Sequence, residues 1–471
     1  MIEGLCCIVS APVWQTLTLT GSDMLRLARF RLRRAPMILA AVSLIFIVVL
    51  SHLSEEKHEL SQREVIERMN VYDDFGRLSE EREQQIQALN NPKGAKMVDK
   101  DKNLISQRDA KLVFPSNNID YSRYTDMLNI EKPKYLPGYK NPCWKAKIGN
   151  STKVRCLPYF HLLGVDKCGT TDLWARMKHH PELLPNGGIG GKETHWWSWR
   201  RFGFDIWVDD REPWSFEKYL GVFDIAAGQI ETTVDLSEME DDYHPLITGE
   251  GSPTTFWDFT GWNRIPQNQG KTVEEALLTP HLIKHIAPKT LFILIFRNPT
   301  ERLYSDYIFL DLFRQQHNVS SENFHHGVVE SIKMFEDCQI TRSMKSCLYD
   351  KQLHKDIPVR IFVGMYVVYL KEWLKVFNRG RFLIFRNEDY SKNIKQHVIH
   401  AFNFLDLKLP SDDEMEKISS RKRAFDQSSK KKSTGPMLDK TRTILNSFYK
   451  KYNEELAVLL NNEKYLWKET S

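Results

Sequence analysis

Leu157-Pro158-Tyr159-Phe160-His161-Leu162-Leu163-Gly164-Val165-Asp166-Lys167-Cys168-Gly169-Thr170-Thr171-Asp172-Leu173 is the stretch from which the rest of the chain is read. Tyr159 to Leu163 is a short apolar run with the pattern of a buried strand. A turn bounded by Gly164 and Gly169 follows, and from Thr170 the pattern becomes that of a capped helix ending near Pro181. A strand, a loop and a helix N-terminus in succession present unpaired backbone N–H groups and the positive end of a helix dipole, a setting that suits a phosphate or a sulfate. The spacing of the two glycines matches the first half of the pattern Gly-x-x-x-x-Gly-Lys-Ser/Thr. Thr170, however, stands where the lysine belongs, and the lysine has moved into the loop as Lys167. A plain packing turn has the same outline, so on this stretch alone both readings stay open.

Downstream lies Gly191-Lys192-Glu193-Thr194-His195-Trp196-Trp197-Ser198-Trp199-Arg200-Arg201. It is too dense in ionisable side chains for a core segment, because Lys192, Glu193 and both arginines would each need a partner if buried. It reads as the wall of a cleft, the alternative being a surface turn with three packed tryptophans. Leu246 to Glu250 is a further short strand entering a Gly-Ser-Pro loop. Thr290 to Phe296 is a clearer strand, and Arg297-Asn298-Pro299 follows it at once. Pro299 is placed to open a helix, which puts Arg297 at a strand's C-terminal end and Ser305 about two turns into the helix, on a face shared with Arg302. An arginine and a hydroxyl converging in this way can hold a second phosphate.

An amphipathic helix from Val359 to Phe377, a strand from Arg381 to Arg386 and a helix from Glu388 to Phe404 come next. A basic loop, Lys430-Lys431-Lys432-Ser433-Thr434-Gly435-Pro436, then precedes a last helix from Lys440 to Asn461. Strands alternating with helices predict an α/β domain, P-loop-like, with a central, mainly parallel sheet flanked by helices.

The 66 basic side chains are nearly balanced by 61 acidic ones, so no global field argues for nucleic acid, and a polyanionic partner has to be met by a local basic patch. Residues 1–34 form a polar leader that turns basic at Arg26, Arg29, Arg31, Arg33 and Arg34, and residues 35–53 are almost wholly apolar, close to the roughly 17-residue lower limit for a spanning helix. A cleaved signal peptide would need a small-residue cleavage site, which is missing after Leu50, so an uncleaved anchor is expected. Arginines before the span and Glu55 and Glu56 after it put residues 1–34 in the cytosol and the remainder outside it, a type II topology. So short a span suits the thinner bilayers of the early secretory pathway.

Residues 54–134 are charged and glutamine-rich, with too few apolar residues for a core. They read as a stem, either a solvated spacer or a helix that pairs with a second copy, and folded sequence is expected over 135–471. Of the seven cysteines none has the Cys-x-x-Cys spacing of a zinc site. In an oxidising compartment Cys143 with Cys156, and Cys338 with Cys347, are expected to form local disulfides, leaving Cys168 free. Asn150-Ser-Thr and Asn318-Val-Ser fit the N-glycosylation pattern and agree with the same topology.

Taken together, Lys167-Cys-Gly-Thr-Thr-Asp-Leu, Lys192-Glu-Thr-His-Trp-Trp, Arg200-Arg-Phe-Gly, Arg302-Leu-Tyr-Ser-Asp-Tyr and Gly435-Pro-Met resemble the Golgi carbohydrate sulfotransferases over about residues 135–467. The resemblance implies a Golgi membrane enzyme using 3′-phosphoadenosine 5′-phosphosulfate and no metal. Lys167, Cys168, Gly169, Thr170 and Thr171 would hold the 5′-phosphosulfate, and Arg297 and Ser305, with Lys432 of the basic loop, the rest of the donor. Glu193 would be the catalytic base, with Lys192 and His195 orienting base or acceptor, the alternative for His195 being a satisfied structural histidine. Trp196, Trp197, Arg200 and Arg201 would meet a sulfated glycosaminoglycan.

Within the family the match is nearest to members that sulfate the 6-hydroxyl of 4-sulfated N-acetylgalactosamine in chondroitin or dermatan sulfate. A uronyl 2-hydroxyl, heparan sulfate, or a non-catalytic glycan-binding role are the alternatives. A P-loop kinase is disfavoured by Thr170 and by the lack of a clear acidic magnesium ligand. The related heparan sulfate enzymes carry a lysine where this chain has Gly251, and Glu250 is left without a role.

Overall fold

The run Leu291-Phe-Ile-Leu-Ile-Phe296 has no polar face to offer water, and all six residues are buried inside a sheet. The computed structural model describes residues 119–204, 211–233, 243–314, 319–424 and 434–468. The expected span at 35–53, most of the stem, Asn318 and Lys432 lie outside the described residues. Among the described residues no helix is long and apolar enough to cross a membrane.

In chain order the strands are β1 (Cys143–Ile148), β2 (Ser151–Cys156), β3 (Phe160–Gly164), β4 (Leu183–Leu184), β5 (Ile247–Glu250), β6 (Leu291–Phe296) and β7 (Phe382–Arg386). β3 to β7 form one sheet in the order β4-β5-β3-β6-β7, with every neighbouring pair parallel. After β3 the chain crosses to β4 and β5 on one side and only then to β6 on the other. The connections therefore diverge around the C-terminal end of β3 and leave a crevice there. Helices flank the sheet, as expected for an α/β domain.

β1 and β2 form a separate antiparallel hairpin, closed by a disulfide between the directly paired Cys143 and Cys156. The second disulfide, Cys338–Cys347, ties the end of helix Ser321–Thr341 to helix Met344–Leu348. Both pairings are the expected ones, and Cys168 is the free cysteine of the described residues. Asn150 is exposed at the hairpin turn.

Three boundaries differ from expectation. The segment 359–377 is not one helix: a 3-10 turn, Ile361–Gly364, precedes helix Tyr366–Val376. Gly364 packs so closely that a Cβ there would meet Pro299 at 2.8 Å and the Tyr449 ring at 2.9 Å, and the regular helix begins only beyond this contact. The segment 388–404 is split into Asn387–Lys392 and Ile394–Phe404. Asn393 interrupts it, and its side chain accepts from Gln396 N–H as the second helix's N-cap. Residues 119–134, assigned to the stem on composition, pack on the domain instead. Met127 is buried in the core, and the carbonyl of Ile130 bonds to His285 Nε2 at 2.9 Å.

Candidate active site

Because the sheet is parallel, the residues singled out above leave it on loops at one edge, after β3, β4, β5 and β6. The loop after β3 runs into helix Thr170–Met177. Gly169 there has φ 99°, in the left-handed region that glycine adopts without strain. A Cβ on it would stand 2.7 Å from the Asn387 amide, which donates to the Cys168 carbonyl at 2.7 Å. Asn387 follows β7 directly and so pins the loop from the far side of the sheet.

Lys167 lies with Nζ 3.6 Å from the centre of the Phe309 ring. Burial lowers its ammonium to about 8, against the pull of Asp306 and Asp166. Cys168 is fully buried and its thiol is pushed up to about 12 by burial, so at neutral pH it is packing and not a nucleophile.

Arg297 leaves the end of β6 and donates from Nη1 to the Lys167 carbonyl at 3.2 Å, while its own carbonyl accepts from Tyr366 OH at 2.9 Å. Ser305 sits on the following helix, Pro299–Arg314, and is buried. Arg302, on the face expected to be shared with Ser305, is committed to structure. It pairs with Asp306 at 3.3 Å and donates to the Arg360 carbonyl at 3.0 Å. Arg360 in turn joins Asp306 to Asp166 of the loop, whose other oxygen accepts from Trp257 Nε1 at 2.7 Å. A chain of ion pairs, buried at Arg302 and Asp306 and half-buried at Arg360 and Asp166, thus holds the β3 loop and the β6 helix in one register.

On the loop after β4, the Glu193 carboxylate is gripped from both sides. Lys192 Nζ is 2.6 Å from Oε1 and His195 Nε2 is 3.0 Å from Oε2. A carboxylate can only accept, so Nε2 carries a proton, and Nδ1 then faces the Thr254 hydroxyl at 2.9 Å. Burial would raise the Glu193 carboxyl, but the charges and hydrogen bonds of Lys192 and His195 outweigh it and hold the group at about 2. Lys192 Nζ also reaches Thr170 Oγ1 at 3.4 Å. That contact brings the two stretches, Lys167–Thr171 and Lys192–His195, into one site.

Glu250, which the sequence left without a role, ends β5 and is wholly buried. Its carboxylate accepts from Thr194 N–H at 3.1 Å and Thr194 Oγ1 at 3.0 Å, and it also accepts from the Ser252 hydroxyl. His161 Nδ1 lies behind it at 3.3 Å. Ser252 Oγ accepts from the N–H groups of Thr194 and His195 at 2.9 and 2.7 Å. These contacts hold the turn on which Glu193 and His195 stand, including the positive φ of 49° at His195. The one signal in the sequence is the Gly-Ser-Pro break directly after a strand, which marks a loop but not its partner.

Three residues expected to meet a glycan are placed elsewhere. Trp196 and Trp197 are 0% and 1% exposed. Trp196 stacks on Tyr219 with ring centroids 4.5 Å apart and donates to the Trp214 carbonyl, while Trp197 donates to Tyr219 OH at 3.0 Å. Their faces are used internally, so they are no stacking surface. Arg201 is buried against Phe202, 4.1 Å from the ring centre, and burial draws its guanidinium down to about 9. Arg200 is half-buried, its guanidinium 4.4 Å from the centre of the Trp214 ring, and the Lys218 ammonium lies 4.2 Å from the centre of the same ring. Trp199, also half-buried, stacks on His195 at 4.8 Å. Among the described residues no cluster of three or more His, Cys, Asp and Glu side chains is arranged to hold a metal ion.

The glycine loop with Lys167 and the clamped carboxylate of Glu193 thus lie together at the switch point of a parallel α/β sheet. The family model described as "Sulfotransferase domain" matches residues 159–453, and the chain belongs to that family and is a sulfotransferase enzyme. Carbohydrate sulfotransferase 15 of Homo sapiens is 36% identical over an alignment 388 positions long, which covers 73% of this chain and 68% of the human protein. The protein of the same name from Rattus norvegicus is likewise 36% identical over 388 residues, with the same coverage. That from Nototodarus sloanii is 35% identical over 139 residues, covering 30% of this chain and 87% of that sequence.

Proposed function

We propose that this sulfotransferase moves a sulfuryl group from 3′-phosphoadenosine 5′-phosphosulfate to the 6-hydroxyl of 4-sulfated N-acetylgalactosamine in chondroitin or dermatan sulfate. The observation that carries the chemistry is the junction at Lys192, which sets the Glu193 carboxylate beside Thr170 at the head of the glycine loop. Donor binding is supported by the cationic Lys167, by Gly169 with its left-handed backbone, and by Arg297, whose guanidinium is tied to the same loop.

In this reading Glu193 accepts the acceptor hydroxyl's proton as the oxygen forms its bond to sulfur. The bond from sulfur to the 5′-phosphate oxygen breaks, and the electron pair leaves with the phosphate. General-base assistance of this kind is worth about 10²- to 10⁴-fold. Lys167 and the N–H groups of Gly169 to Thr171 meet the charge that grows on the leaving oxygen without waiting for solvent to reorganise. Arg297 and Ser305 are assigned to the 3′-phosphate.

A carbohydrate acceptor is supported by the name that the human and rat relatives share. With Trp196, Trp197 and Arg201 buried, the anionic glycan is assigned to Arg200, Lys218 and Trp214, contacts that weaken with added salt. A Golgi membrane setting, with residues 35–53 as anchor and the enzyme domain lumenal, is supported by the apolar run in the sequence and by the two disulfides.

The test incubates purified protein with labelled sulfate donor and a panel of desulfated and sulfated glycosaminoglycans. Disaccharide analysis is expected to give disulfated galactosamine units. Label found only on uronic acid or glucosamine would sink the acceptor assignment.

A further inference from the structure

The stem of Lys192 runs directly over Gly251. A Cβ on Gly251 would lie 2.6 Å from Lys192 Cγ and 2.9 Å from Cε, closer than atoms can approach. Gly251 is not among the glycines with positive φ, so the backbone does not require a glycine there; the lysine does. Gly251 N–H also donates to the Lys192 carbonyl at 2.9 Å, which straps the two residues together. The side chain, 4% exposed, has one track, and it ends between Glu193 Oε1 at 2.6 Å and Thr170 Oγ1 at 3.4 Å.

Glu193 is faced by Lys192 and, from its own turn, by His195. From β5, Glu250 turns its carboxylate to Thr194 and Ser252 instead. From the β3 loop, Lys167 lies against Phe309 and Thr170 brings only a hydroxyl. With an oxygen held by each cationic or proton-bearing neighbour, the carboxylate is a poor proton acceptor. A base that must take a proton from a sugar hydroxyl needs at least one of those partners removed. A phosphosulfate at the head of helix Thr170–Met177 carries several negative charges against the single charge of Glu193. It therefore competes for the ammonium from the side on which Thr170 already touches it.

We propose that Lys192, threaded across the bare α-carbon of Gly251, is a positioning residue that holds Glu193 idle in the donor-free enzyme and is drawn away by the bound phosphosulfate, so that the base is released only when the donor is loaded. This rests on the reading of Glu193 as base and of Lys167–Thr171 as donor loop.

The experiment measures binding of 3′-phosphoadenosine 5′-phosphate, which carries no sulfuryl group to transfer, by calorimetry in paired buffers of different ionisation heat. Release lets Glu193 rise toward the ordinary glutamate value of about 4.3, His195 still holding it somewhat below, so at pH 4.5 binding should take up more protons in the parent protein than in Lys192→Met, by at most about 0.4, and no more at pH 7. In Lys192→Met the carboxyl is already relaxed before the nucleotide arrives. Gly251→Ala supplies a second variant: its Cβ pushes the lysine off its track before the nucleotide arrives, so the extra proton uptake at pH 4.5 should be lost there too. Equal proton uptake in the parent and Lys192→Met, or full parental uptake in Gly251→Ala, overturns the proposal. Absence of nucleotide binding at either pH overturns the donor-loop reading, and the proposal with it.

Discussion

The hydroxyl oxygen of Ser252 lies 2.7 Å from the backbone nitrogen of His195 and accepts its N–H. The same oxygen takes the N–H of Thr194 and donates to Glu250, so one small side chain fixes the turn that aims Glu193 and His195. Ser252→Ala leaves buried backbone N–H groups short of a partner, at about 1–3 kcal/mol. Single-turnover rates should fall about 10- to 100-fold. The donor dissociation constant should stay within about twofold, because Lys167 and Arg297 are untouched. A donor affinity that collapses along with the rate would mean that the cradle serves the whole crevice.

Glu193→Gln keeps size and much of the hydrogen bonding but removes the proton acceptor. The chemical step should slow by at least about 10²-fold with donor affinity almost unchanged. Near-normal single-turnover rates in this variant would place the base elsewhere.

Lys167 carries its charge only below about 8 in the free enzyme. Its pKa is lowered, so the cation is complete at neutral pH and is lost as pH rises through about 8. Donor affinity, measured directly, should therefore decline above that pH. Lys167→Ala should lower affinity and rate together and flatten this dependence, whereas Arg297→Ala should chiefly weaken donor binding.

Trp196 and Trp197 test burial against glycan contact. Trp196→Ala should cost about 3–5 kcal/mol of stability, seen as a large drop in denaturant midpoint. Arg200→Ala should leave the midpoint nearly unmoved and raise the acceptor KM, most at low salt. The opposite assignment of effects would restore the two rings as acceptor contacts.

Removing the Cys143–Cys156 bridge as a double alanine variant should destabilise the protein by about 3 kcal/mol, read from denaturant unfolding. Cys168, buried and with its thiol pushed up to about 12, should resist iodoacetamide at pH 8 until the chain is unfolded. Ready labelling of the native protein would show the β3 loop to be open.

What the sequence by itself determined was local. β6 declares itself because an unbroken apolar run between turn residues cannot be satisfied at a surface, β3 because its run is apolar but for His161, and the two disulfides because each pair is near in sequence. The glycine loop with Lys167 is legible because its residue types and spacing belong to one continuous segment. The tertiary structure decided whatever depends on which distant segment covers a face. Trp196 reads the same beside a cleft as in a core, and only Tyr219, delivered by helix Phe216–Gly221, makes it core. Glu250 acquires its role from Thr194, a residue 56 positions away on the loop after β4. Lys192 meets Thr170 because parallel strands bring every C-terminal loop to one edge, so two motifs 22 residues apart in the chain share one ammonium. Spacing along a chain carries no record of that contact. The sheet makes it, by stacking strands in an order different from their order in sequence.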